Sequence, residues 1–202
     1  MFKWFRALLP LIFLTACAES LYAPDAEVEA ARYVSEEAPF VALVTMLRNK
    51  NDSKGDHSAL LINAGEVVLY DPAGSFKHPD VPERNDVLYG VFPSMFEAYA
   101  YYHARTTHHT LIQTLPVSME TALELRRLAE AEGASSMMMC SNHVSNVLRG
   151  AGINVDHTYY PGKLSQSFAE LPGVTSRIVY DEDEGQNLVA PQTFEEARSG
   201  AY

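Results

Sequence analysis

Apolar and polar positions alternate between two periods along this chain, and the changes of period mark its elements. Residues 40–47 form a nearly continuous β-rich apolar run (Val41, Val44, Thr45), the pattern of a buried strand. Two further runs, residues 57–62 and 66–70, flank Asn63-Ala64-Gly65 and predict a hairpin. Asp71-Pro72-Ala73-Gly74 breaks the second of them, residues 49–56 read as a turn-rich loop, and another loop carries Pro79 and Pro82. Residues 110–115 predict one more strand. Residues 94–105 predict a helix, with Ser94 and Glu97 spaced as a capping box. Ser118 is placed to cap a helix through Glu132, with Leu123, Leu125, Leu128 and Ala129 apolar and Gly133 just past its end. A further helix over residues 140–149 stops at Gly150 and Gly152. Strands come first and helices follow, without β-α-β alternation, so the expected class is α+β with an antiparallel sheet.

The N-terminus adds a targeting signal. Lys3 and Arg6 precede the apolar residues 7–16, a run too short for a membrane span of about 20 residues but suited to a signal peptide. The run ends in Leu14-Thr15-Ala16-Cys17, which resembles a bacterial lipobox. That resemblance implies cleavage after residue 16 and acylation (palmitate) of Cys17. Ala18 follows instead of Asp, which implies sorting to the outer membrane, facing the periplasm. The expected organisation is therefore a signal peptide over 1–16, a lipidated Cys17 with an acidic tether over 17–38, a domain over 39–180, and an acidic tail over 181–202.

Charge narrows the partners. The 202 residues hold 15 basic and 26 acidic groups, a net charge of −11. Loss of Lys3 and Arg6 with the signal leaves 13 basic groups against the same 26 acids. Such a surface is unsuited to nucleic acid, and it is repelled by anionic headgroups, so an acyl chain must hold the protein at a membrane.

Candidate chemistry centres on Cys140. With Cys17 consumed by lipid, Cys140 is an unpaired thiol in an oxidising compartment. It opens a predicted helix, where free amides and the macrodipole favour the thiolate. Cys140, Val144, Val147 and Leu148 share one face of that helix. A thiolate nucleophile needs a His to move a proton and a polar group to orient that His. His57 opens a strand. If Asn63-Ala64-Gly65 is a three-residue hairpin loop, Ile62 opposes Glu66, and His57 opposes Asp71 at about 4.5–5.5 Å between Cβ atoms. A two-residue turn would move Asp71 to the opposite face.

The other candidates have plainer expectations. His108 and His109 are adjacent on a strand and point to opposite faces, so no metal site is expected. His143 is expected to pack, Met137-Met138-Met139 to fill core or line an apolar acyl slot, and Tyr99 and its aromatic neighbours to pack.

These residues resemble a known family. The order of a His on a strand, a polar residue on the next strand, then a Cys at a helix start is circularly permuted relative to papain. Cys140-Ser141-Asn142-His143-Val144 followed by Leu148-Arg149-Gly150-Ala151-Gly152 looks like the nucleophile helix of the permuted papain-like group, which includes YaeF/YiiX-type proteins and lecithin retinol acyltransferase-like proteins. The segments Val117-Ser118-Met119-Glu120 and Pro161-Gly162-Lys163-Leu164 fit the same layout, and the likeness covers roughly residues 40–172. Met139 departs from the Asn common before the Cys, which leaves the Cys140 amide as an oxyanion donor.

The resemblance implies a permuted papain-like (NlpC-type) domain. Its catalytic residues would be Cys140 as nucleophile, His57 as base then acid, and Asp71 as orienting group. The chemistry implied is hydrolysis or acyl transfer at amide or ester bonds through a thioester, without metal or organic cofactor. Location suggests peptidoglycan peptides as substrate, with lipid esters next. The alternative is an inactive envelope lipoprotein that keeps the fold as a binding or structural module.

Overall fold

The structure is a computed structural model and describes residues 22–181. The signal segment, Cys17, the start of the expected tether and residues 182–202 of the acidic tail lie outside the described residues.

The continuous apolar run of the sequence becomes β1 (Phe40–Arg48), a strand with both faces covered. It pairs antiparallel with β2 (Asn51–Ala64) on one side and β6 (His108–Pro116) on the other. β3 (Glu66–Tyr70), β5 (Val87–Tyr89) and β4 (Glu83–Arg84) extend the sheet past β2, and β7 (Thr175–Val179) extends it past β6. Among the described residues this makes one antiparallel sheet of order β4-β5-β3-β2-β1-β6-β7.

Alternation along the strands divides two cores. Val41, Leu43, Leu60, Ile62 and Tyr70 face α3 (Met119–Glu132), α4 (Cys140–Gly150) and α5 (Pro161–Ala169). Ala42, Val44, Ala59, Leu61 and Leu69 face α2 (Pro93–His103) through Met95, Phe96 and Tyr99. Burying a Leu or Val side chain contributes about 1.5–3 kcal/mol, which is what docks helices on both faces. The α+β class is as expected, with β4, β5, β7 and α5 added to the elements that the pattern predicts.

Three local expectations are corrected. Residues 51–56 are strand, not loop: they continue β2 against β1 across register shifts at Met46/Leu47 and Leu47/Arg48. Their side chains are mostly exposed, so backbone pairing, which hydrophobic periodicity cannot reveal, holds them. The Ser94–Glu97 capping box does not form. α2 starts one residue earlier at Pro93, whose fixed φ suits a first helical position, and Glu97 pairs instead with Arg177 of β7. Residues 22–38 do not stand away from the domain. They carry α1 (Asp25–Ala30), bridges Tyr22–Arg84 and Val34–Glu66, and ion pairs Asp25–Arg84 and Arg32–Glu66. Asp25 is thus matched to Arg84 of the edge strand β4, and Arg32 to Glu66 of β3. Ser118 does cap α3, its Oγ accepting from the Thr121 amide at 3.1 Å, and Gly133 closes the helix at φ 73°.

Candidate active site

Asn63 to Gly65 forms a tighter turn than a three-residue loop. Ala64 pairs with Glu66 around Gly65 alone, which sits at φ 85°, and the ladder runs through Ile62↔Val68 to Leu60↔Tyr70. The expected register, Ile62 with Glu66, is thus displaced by two residues. Side chains alternate with period two, so this shift preserves faces. Continuing the ladder sets Ala59 opposite Asp71, with His57 two residues further along the same face. The two side chains meet on the diagonal, and His57 Nε2–H donates to Asp71 Oδ1 at 2.6 Å.

Asp71 is buried, and it is held on several sides. Tyr99 of α2 donates its hydroxyl to the same Oδ1 at 2.7 Å. The Gly74 amide donates to the Asp71 carbonyl at 2.8 Å, closing a turn through Pro72 and Ala73. Ala73 adopts φ 61°, a left-handed conformation held by the donation of its amide to Asp86 Oδ2 at 2.7 Å. Asp86 Oδ2 also accepts the Ser135 amide at 2.8 Å, from the loop that leads into α4. One carboxylate therefore ties the turn bearing Asp71 to the loop before Cys140.

Cys140 opens α4 and is buried, and Val144, Val147 and Leu148 on its face are buried with it. No side chain caps the helix at Met139. Ser141, the next residue, meets Ser58 of β2 hydroxyl to hydroxyl at 3.0 Å, seating the helix start against the strand that carries His57. Burial pushes the Cys140 thiol up, but a hydrogen bond and charge interaction with His57, the Ser58 amide and the Ser141 hydroxyl outweigh it and hold the thiol below its ordinary value. Burial pulls His57 down, yet Asp71 and Cys140 together raise it to about 10. Asp71 is pushed up by burial and brought below its ordinary value by His57, His103 and Tyr99. These directions all favour one charge state: thiolate, imidazolium, carboxylate. Because Nε2 faces Asp71, Nδ1 is the ring nitrogen left for the sulfur.

The structure thus brings Cys140, His57 and Asp71 together. Family models, curated proteins and solved structures were all compared with this chain, and none matches.

His143, His108 and His109 lie away from this trio. His143 Nδ1 is 3.4 Å from both the Tyr70 hydroxyl and Glu132 Oε1. His108 pairs with Asp56 at 2.6 Å, and His109 meets Asn49 at 3.0 Å. Among the described residues no group of three or more His, Cys, Asp or Glu could hold a metal ion. Met137 and Met138 are not core: they are 86% and 84% exposed, since Met138 at φ 73° turns the chain outward just before Cys140.

Sequence reasoning missed Ser58, Ser141, Asp86 and the supporting part played by Tyr99. Asn85-Asp86, both at positive φ, is a turn signal of the kind Asn and Asp supply, but its reach to Ser135 is tertiary.

Proposed function

We propose that this protein is a cysteine hydrolase or acyltransferase acting on amide or ester bonds through a thioester. The observation that carries the reading is the pair of His57 and the buried Asp71, with Nε2–Oδ1 at 2.6 Å, beside the buried Cys140 thiol at the start of α4, which His57 holds below its ordinary value. A thiolate at an uncapped helix start attacks the carbonyl carbon, forming a C–S bond while the carbonyl oxygen becomes an oxyanion. At the helix start the Cys140 amide, which has no intrahelical acceptor, stabilises that oxyanion. His57 then gives its proton to the departing amine or alcohol as the bond to carbon breaks, leaving a thioester. The neutral imidazole next takes a proton from water, or from an acceptor alcohol or amine, as that group attacks. Collapse of this second adduct releases the acyl product and regenerates thiolate and imidazolium. Asp71 keeps its charge throughout and holds the ring tautomer and plane.

The order of His57 on a strand before Cys140 on a helix, with an antiparallel sheet packed on that helix, supports assignment to the permuted papain-like group. The lipobox-like Leu14-Thr15-Ala16-Cys17 supports an outer-membrane lipoprotein facing the periplasm, for which peptidoglycan peptides are the first substrate class to try and lipid esters the second. The test is the pH dependence of Cys140 alkylation by iodoacetamide, read by peptide mapping. Wild type should react well below the pH at which an ordinary thiol ionises, and His57→Ala should lose that reactivity. An ordinary thiol profile in wild type would refute the reading.

A further inference from the structure

The last turn of α2 lies against the His57–Asp71 pair at two points. Tyr99 is fully buried and gives its hydroxyl to Asp71 at 2.7 Å. His103, one turn further along, stacks on the His57 ring, with centroids 5.8 Å apart and planes 20° apart. The His103 ring is itself fixed. Its Nδ1 lies 3.0 Å from the Tyr99 carbonyl, which can only accept, so Nδ1 bears the proton. Tyr99 packs on it at 4.5 Å between centroids, and Tyr102 meets it edge-on at 4.9 Å.

We infer that His103 is a positioning residue for the proposed base: its fixed ring covers one face of the His57 imidazole and confines that ring to the plane in which Nε2 meets Asp71 and Nδ1 meets the thiol. This inference rests on the reading under Proposed function. A hydrogen bond to Asp71 alone leaves His57 free to rock about the Nε2–Oδ1 axis, and rocking would carry Nδ1 away from sulfur. A flat neighbour on one face removes that freedom without contributing a charge. The groups facing His103 are Asp71, His57, Arg105, Tyr99 and Tyr102, and burial is the main cause that brings its own pKa down to about 4. His103 is therefore neutral where the thiolate–imidazolium pair exists, and adds no cation beside the imidazolium.

The experiment measures the pH profile of Cys140 alkylation by iodoacetamide in the full chain, mapped to that residue, for wild type, His103→Ala, His103→Leu and His103→Phe, with circular dichroism to confirm folding. His103→Ala should shift the acid limb to higher pH and slow alkylation at pH 6 by about tenfold, the scale expected when a reacting group loses orientation. His103→Leu fills the volume without a flat face and should shift likewise, which keeps the test valid if the alanine variant unfolds. His103→Phe restores a flat ring and should follow wild type. A folded His103→Ala or His103→Leu that overlays wild type overturns the inference, as does a His103→Phe that falls with them. If wild-type Cys140 shows no acid-shifted reactivity, the parent reading fails, a result distinct from unchanged reactivity in the variants.

Discussion

His57 and Asp71 meet on a diagonal of the β2–β3 hairpin, not as direct partners, so the pair depends on the turn that follows β3. That turn is packed without spare room. A Cβ built on Gly74 would fall 1.7 Å from Asp71 Oδ2, far inside any allowed contact. Gly74→Ala should force the carboxylate away from His57. Alkylation of Cys140 at neutral pH should then fall by roughly ten- to a hundredfold, the range expected for lost alignment. Unfolding free energy should drop by only about 1–3 kcal/mol, the cost of disturbing a buried bonded acid. An alkylation rate equal to wild type would show that Asp71 does not act on the thiol through His57.

Asp86 offers a second handle, from outside the pair. Its carboxylate accepts amides from Ala73 and Ser135, so Asp86→Ala leaves two donors without their acceptor. Chemical denaturation should report a loss of about 1–3 kcal/mol. The thiol should lose reactivity in parallel, because the turn bearing Asp71 and the loop entering α4 are no longer tied. A variant that is destabilised but keeps full thiol reactivity would show that this tie serves the fold alone.

The charge state of the site fixes the shape of its pH dependence. The Cys140 thiol is held below its ordinary value by His57, so the acid limb of activity should lie below that of a free thiol. His57 is raised to about 10, so its proton is present for the leaving group below that pH and lost above it, giving an alkaline limb near 10. Asp71→Asn removes the charge that favours the imidazolium. It should move the acid limb up and the alkaline limb down, narrowing the plateau from both sides. An Asp71→Asn profile that overlays wild type would remove Asp71 from the chemistry.

Much of this arrangement was legible in the sequence, and the part that was not is tertiary. The apolar runs marked β1, β2 and β3, and the face of Cys140, Val144, Val147 and Leu148 marked α4, because burial imposes period two on strands and 3.6 on helices. His57 and Asp71 could be set on one face even from a register wrong by two, since an even error leaves facing unchanged. The polar start of β2 was hidden, as residues 51–56 pair by backbone alone and show solvent their side chains. Met137 and Met138 were misread because hydrophobic identity does not reveal a left-handed turn at Met138. Tyr99, His103 and Asp86 reach the site only through packing of α2 and the β4–β5 turn, contacts that no local spacing encodes.

Anchoring at Cys17 is tested separately from the chemistry. Cys17→Ser should abolish acyl labelling and release the protein from the membrane fraction. A substituted protein that remained there as an integral protein would contradict the lipobox reading.

The proposed chemistry requires that Cys140 form a thioester and that His57 drive its formation. The most direct measurement treats the full chain with an activated acyl ester and maps the acylated residue by mass spectrometry. Hydroxylamine lability identifies the linkage as a thioester. Wild type should carry a hydroxylamine-labile acyl group on Cys140, Cys140→Ala should lack it, and in His57→Ala its formation should slow at least about a hundredfold, the scale of general acid–base catalysis. Acylation of Cys140 at the same rate in wild type and His57→Ala, or none in wild type, would contradict that chemistry.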